Sequence, residues 1–372
     1  MALHLARLLH GAGRRVILAD TPTRPIAAAS KACARYRQLP PPRFEPEAYA
    51  EAVEALVRME GIELAIATCE EVYYLALAWG GRTMPAPLFA PDIDLLAQVH
   101  NKHAFIRLAE RLGLAVPETV LLNSRDDVEA VRGHSRELVF KPVWSRFASQ
   151  VLLRPTPDFL DAVQPSPAMP WVAQRFIDGD EISAYAVARE GRLKALALYR
   201  SPYRAGRGAG IFFERVEDGA ARELVERIVA GSSWTGQISF DLMREANGRV
   251  LPLECNPRAV SGLHFFRDPG RFADAVLGDG PEVIPDIIAP QTVRLAMWIY
   301  GLPAALRSGD LGRFRKAMRD GQELLDWPGD PAPVKAQWTA LAEIAGVAWG
   351  QGISLQAAST RDIEWNGPNQ LG

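Results

Sequence analysis

Residues 237–258 read QISFDLMREANGRVLPLECNPR. Two runs with strand-like alternation flank Asn247-Gly248, a strong short-range signal for a β-hairpin. Taken as a two-residue type I′ turn, that pair sets Ala246 against Arg249. Counting outward then places Asp241 across from Glu254 and Ser239 across from Asn256. Side chains alternate faces along a strand, so Asp241, Glu254 and Asn256 share one face and Cys255 takes the other. The same register sets Pro252 opposite Met243 at a non-hydrogen-bonded pair, where its missing N–H costs the ladder nothing.

Two carboxylates opposed in such a pair have Cα atoms about 4.5 Å apart. Like charges so placed repel. Three arrangements relieve them: a retained proton, an arginine bridge for which Arg258 is near enough, or a divalent cation. Asn256 favours the cation, because an amide carbonyl is a hard oxygen ligand that gains nothing from a shared proton. A few oxygen ligands suit Mg²⁺, which keeps waters and takes its other ligands from phosphates; Mn²⁺ is an alternative ion. The residues alone leave all three arrangements open.

The chain has 372 residues, enough for two to three domains. Its apolar fraction of 48% and charged fraction of 23% are ordinary for a soluble globular protein. A net charge of -2 argues against a dedicated nucleic-acid binder. No apolar run is long enough to span a membrane, which excludes a membrane protein of the helical kind. Cys33, Cys69 and Cys255 are scattered, odd in number and without CxxC spacing, which suits a reducing, cytoplasmic compartment. Lysines are scarce, 6 among the 42 basic residues, so Lys102 and Lys141 stand out.

The first third alternates helix and strand, as in a parallel sheet covered on both faces. Residues 1–9 form an amphipathic helix, 16–20 a buried strand, 46–60 a helix, 63–68 (ELAIAT) a strand and 70–79 a helix. A helix before the first strand looks like a βαβ unit lacking its opening strand. The prolines at 85, 87 and 91 end this pattern, giving a first domain over 1–92. From 93 hairpins dominate, so 93–289 reads as α+β. It holds strands at 138–143 and 171–177, a hairpin turning at Glu190-Gly191, a mobile basic loop at 201–210 and a helix at 221–230. Residues 290–372 read as a mainly helical extension.

Glu254-Cys-Asn-Pro-Arg258 resembles the E-x-N-P-R signature of the ATP-grasp ligases, and the resemblance extends over roughly residues 1–265. It implies a pre-ATP-grasp α/β domain followed by two α+β lobes that clamp Mg-ATP, with a hinge near 174–177. Asp241, Glu254 and Asn256 match that family's Mg²⁺ ligands, and Arg258 the arginine beside the reacting phosphate. Lys141, in the strand ending Val139-Phe-Lys-Pro142, resembles the phosphate lysine, and Lys102 the lysine of the helix that opens the clamp. Gln174, with the backbone of Arg175 through Ile177, matches the segment that reads the adenine edge, and Glu181 the ribose-binding acid. Residues 145–149 (SRFAS) stand where the family has a glycine-rich phosphate loop. The segment departs from that pattern, leaving Ser149 as a phosphate partner and Arg146 as a substitute for backbone donors.

The resemblance implies that a carboxylate is activated by ATP as an acyl phosphate and then taken by an amine, both small molecules; a homodimer is one assembly the chain could form. Phosphorylation of bicarbonate or carbamate, and ATP binding without turnover, are the alternatives. Acceptor-side candidates are Ser261, Gly262 and His264 after the signature, Arg200, Arg204 and Arg207 in the glycine-rich segment, and Glu70 or Glu71 for a substrate ammonium. The polar-aromatic run 360–367 (TRDIEWNG) has no assigned role beyond packing.

Overall fold

The computed structural model describes residues 1–145, 150–206, 208–278 and 280–367. The helix Ala2–Gly11 buries Leu5, Leu8 and Leu9 on one face. It leads to a strand Ile17–Asp20 that pairs in parallel with Arg35–Gln38. The helix Pro46–Glu60 begins at a proline, where a missing N–H is harmless, and closes on Gly61 in the left-handed conformation with φ +60°. The helix Glu71–Gly81 follows.

The expected strand at 63–68 is not a full ladder. Its one bridge joins Ala65 to Leu88 in parallel, and among the described residues no strand of the Ile17–Asp20 sheet bonds to it. An ELAIAT run has strand propensity, but propensity needs a neighbour to pair with.

Helices Ile93–His100 and Lys102–Arg111 open the next unit, each capped by its own preceding side chain, Asp92 and Asn101. A four-stranded antiparallel sheet follows, in the order Thr119–Leu122, Trp171–Arg175, Leu138–Pro142, Leu152–Leu153. The larger sheet has seven strands. From one edge it runs Val250–Asn256, Gly236–Arg244, Asp180–Arg189, Arg192–Ala205, Ala209–Val216, and then two short strands, Gln291–Thr292 and Gln322–Glu323. The last two belong to the C-terminal segment, so that mainly helical stretch also extends the sheet.

The expected mobile loop at 201–210 is a correction. Residues 201–205 and 209–210 lie in the arms of a hairpin, with Arg204 opposite Gly210 and Ala205 opposite Ala209. The reason is the strand Ala209–Val216, whose Ile211, Phe212 and Phe213 are buried in succession. They fill cores on both sides of the sheet, so no period-2 pattern announces them.

One apolar core joins Tyr73 and Val72 of the first unit, Phe105 of the helix Lys102–Arg111, and Ile182, Ala184 and Phe240 of the large sheet. Phe105 and Phe240 stack with centroids 6.0 Å apart. That contact fixes the Lys102 helix against the strand that carries Asp241. Among the described residues no helix is long and apolar enough to cross a membrane.

Candidate active site

The signature hairpin reaches the expected register at its site end by a different route. The Gly248 N–H donates to the Glu245 carbonyl and the Glu245 N–H to the Arg249 carbonyl, both at 2.9 Å. With Gly248 at φ +85° this is a three-residue loop rather than a two-residue turn. The ladder therefore leaves the turn one residue off: Met243 faces Leu251, and Pro252 faces Leu242 instead of Met243. A β-bulge at Leu253 restores the count, so that Asp241 faces Glu254 and Ser239 faces Asn256. The extra residue's carbonyl, released from regular pairing, accepts a bond from the Lys141 ammonium at 3.3 Å.

Asp241 and Glu254 face each other across the hairpin, and Ser183 donates its hydroxyl to Asp241 Oδ1 at 3.1 Å. Burial, then the neighbouring Glu254 charge, raises the Asp241 carboxyl. Burial pushes Glu254 up as well. The Lys102 and Lys141 charges lead the effects that outweigh it and hold Glu254 below the usual carboxylate range. The two carboxyls are thus pushed in opposite directions, Asp241 toward its neutral form and Glu254 toward its charged form. The arginine bridge is not formed. The Arg258 guanidinium instead donates to Asn256 Oδ1 at 3.4 Å and lies 3.9 Å from Glu70.

Both lysines are buried, Lys102 at 4% and Lys141 at 6% exposure. The Lys102 Nζ donates to the Ser145 carbonyl at 2.9 Å and stands 3.7 Å from Glu254 Oε2. The Lys141 Nζ donates to Gln174 Oε1 at 3.0 Å, and Gln174 Nε2 in turn donates to Thr119 Oγ1 at 3.0 Å. Desolvation lowers Lys141 to about 8, with Glu254 working against it. At neutral pH it keeps most of its charge.

A cavity of about 1010 Å³ is lined by Lys141, Gln174, Arg175, Ile177, Glu181, Asp241, Glu254, Asn256 and Arg258. Lys102 stands behind Glu254. The amides of Arg175 and Phe176 are engaged, donating to the Glu118 and Glu137 carbonyls at 2.8 Å each. Of the expected adenine-reading amides this leaves that of Ile177. Glu181 is bound by the Arg204 guanidinium. Ser149, with Arg146 and Arg207, lies outside the described residues.

The acceptor-side candidates separate. Ser261 lines the cavity. His264 does not: it is buried edge-on against His4, with ring centroids 4.8 Å apart. A Cβ on Gly262 would lie 2.5 Å from the Tyr185 Cβ, so this glycine is a packing requirement. Glu71 Oε1 accepts from the Thr68 and Cys69 amides and so serves the start of its own helix. Glu70 is buried beside Arg258 and is not open to a substrate ammonium.

Sequence reading missed Ser183, Thr119 and the Leu253 carbonyl. Ser183 shares a face with Glu181 by simple alternation. Its contact with Asp241 depends on the pairing of strands Asp180–Arg189 and Gly236–Arg244, whose register no short turn fixes. Among the described residues no group of three or more His, Cys, Asp or Glu could hold a metal ion. The donor set is two acids and an amide.

No family model and no curated protein matches the sequence. Solved structures do. N5-carboxyaminoimidazole ribonucleotide synthetase from Thermus thermophilus superposes with a TM-score of 0.61 at 17% identity, covering 78% of this chain and 80% of that one. N5-carboxyaminoimidazole synthetase from Staphylococcus aureus gives 0.59 at 14%, covering 78% of both chains. L-amino acid ligase from Bacillus licheniformis gives 0.58 at 17%, covering 74% of this chain and 72% of that one. At these identities the likeness is one of fold, and the fold is that of the ATP-grasp enzymes.

Proposed function

We propose that the chain is an ATP-dependent ligase that activates a small-molecule carboxylate as an acyl phosphate and joins it to an amine, in the manner of acid–amino-acid ligases. One observation carries this reading. Asp241, Glu254 and Asn256 come together on one face of a bulged hairpin, two buried lysines stand against Glu254, and Arg258 stands beside Asn256 on a shared cavity.

The donors fit Mg²⁺. Two carboxylates and an amide carbonyl are hard oxygens, too few for a dedicated cage and suited to an ion that completes its shell with water and phosphate. Two carboxylates facing each other across the hairpin repel, and such an ion relieves that repulsion. Asp241, Glu254 and Asn256 are the residues to hold it, and Mn²⁺ can replace it. ATP supplies the phosphoryl group that makes a poor leaving group into a good one.

The chain's own residues bind, orient and neutralise. Lys141 and Lys102 bring positive charge to the phosphate region, where burial makes each charge count for more than in water. Gln174 fixes the Lys141 head, and Thr119 fixes Gln174. The Ile177 amide is the donor for the adenine edge, and Glu181 serves the ribose once Arg204 gives it up. Arg258 offers a preorganised cation for charge developing at the reacting centre. No protein nucleophile is required.

The test is ADP and phosphate release against a panel of carboxylates and amines, with bicarbonate as a separate arm. Release that needs both a carboxylate and an amine supports the ligase. Release driven by bicarbonate alone replaces it with a carboxylation-type reaction. Nucleotide binding with no turnover under any pair refutes it.

A further inference from the structure

Arg258 raises a question of electrostatics. It follows the acidic pair in sequence, it is a half-buried cation, and its charge and that of Asp241 act on each other. It nevertheless does not bridge Asp241 and Glu254. The opposing pull comes from Glu70, buried at 1% exposure with Oε1 3.9 Å from the guanidinium. A carboxylate at that depth needs a counter-charge and a donor. Arg258 supplies the first, and the Trp365 amide, 3.3 Å from Glu70 Oε2, supplies the second.

Trp365 belongs to the run 360–367, otherwise without a role. Its ring is buried at 2% exposure. It stacks on Tyr73 with centroids 4.4 Å apart and meets Trp144 edge-on at 5.3 Å. Tyr73 lies in the helix after Glu70, and Trp144 follows the Lys141 strand. Neighbouring residues pin the run to the first unit. The Tyr74 hydroxyl donates to the Glu364 carbonyl at 2.7 Å, and the Arg43 amide to the Asp362 carbonyl at 2.9 Å. Arg43 also pairs with the Glu364 carboxylate. The run is thus a strap across the back of the site.

We propose that Glu70, held by this strap, is a positioning residue that draws Arg258 away from Asp241 and Glu254 and so keeps the acidic pair open to a divalent cation. This rests on the reading of that pair as a cation site. It predicts a specific epistasis, because removing the anchor lets Arg258 fall onto the pair and compete with the metal.

The experiment is calorimetric titration of the full chain with ADP in the presence and absence of Mg²⁺. Glu70→Gln should weaken Mg²⁺-dependent ADP binding by about tenfold or more, the scale of a charge-assisted contact. Adding Arg258→Ala to that variant should restore the Mg²⁺ dependence to the level of Arg258→Ala alone. A merely structural role for Glu70 gives a loss that Arg258→Ala does not rescue, and that result overturns the proposal. If Glu70→Gln does not fold, Trp365→Leu loosens the strap without touching a charge and should show the same loss and the same rescue. Unaltered Mg²⁺ dependence in a folded variant also overturns it. A wild-type chain whose ADP binding ignores Mg²⁺ overturns the cation site itself, and this proposal with it. The readout requires no turnover, so failure of the ligase chemistry would show separately.

Discussion

The Lys141 ammonium donates to the carbonyl of Leu253 at 3.3 Å, and Leu253 is the residue that the bulge adds to the signature hairpin. The irregularity that brings Glu254 back opposite Asp241 thus also supplies an acceptor for the buried Lys141 ammonium. Lobe and hairpin are tied at the point where both face the cavity.

Lys141→Met should weaken ADP and ATP binding while leaving the fold intact. Loss of a charge-assisted contact, worth roughly 1.5–3 kcal/mol, corresponds to about tenfold or more in dissociation constant. Lys141→Arg should not restore it, because a planar fork does not fit acceptors arranged around one ammonium. Isothermal calorimetry with each nucleotide measures both. Wild-type affinity in Lys141→Met would remove this lysine from the site.

The acidic pair makes stability depend on pH with a definite sign. The Asp241 carboxyl rises from 3.8 to about 7, first by burial and then by Glu254. A group held protonated by the fold stabilises it fully below the unfolded value, and that contribution is lost as pH rises through the folded value. Glu254, held low, acts oppositely and loses its contribution as pH falls below 4.5. Thermal midpoints of the metal-free chain should therefore decline between about pH 4 and 7 on Asp241's account. The decline should shrink in Asp241→Asn and in the presence of Mg²⁺ with ADP. A pH profile identical in wild type and Asp241→Asn would contradict it.

How much of this was legible in the sequence depended on whether local signals set the geometry. The turn glycine, the alternation and the spacing located Asp241 opposite Glu254 and put Asn256 on their face. The reading reached the right pairs with a turn one residue too short and no bulge, because the two errors cancel. Pro252, beside the bulge at Leu253, is a residue that sheets accept at edges as well as at bulges, and its placement at a non-hydrogen-bonded pair accounts for it without a bulge. The strand Ala209–Val216 escaped because it is buried on both sides, and residues 63–68 misled because propensity cannot show that a partner is missing. Glu70 reads in the sequence as a candidate for a substrate ammonium. The bond it accepts from the Trp365 amide joins positions 295 apart, which no local pattern connects.

Phe105→Ala should cost about 3–5 kcal/mol, the usual range for emptying a fully buried phenyl site. Its ring lies against Phe240, between the Lys102 helix and the Asp241 strand. Nucleotide affinity should fall alongside stability, because the cavity left behind loosens the Lys102 to Glu254 approach. Chemical denaturation and ADP titration on the same sample test the coupling. A loss of stability with unchanged affinity would show that the helix is held by other contacts.

A divalent cation held by the facing acids is tested most directly by the Mg²⁺ dependence of ADP binding in wild type and Glu254→Gln. The predicted result is wild-type binding that tightens markedly with Mg²⁺ and Glu254→Gln binding that is weak and indifferent to it, with the fold unchanged by circular dichroism. Equal Mg²⁺ dependence in the two proteins would contradict it.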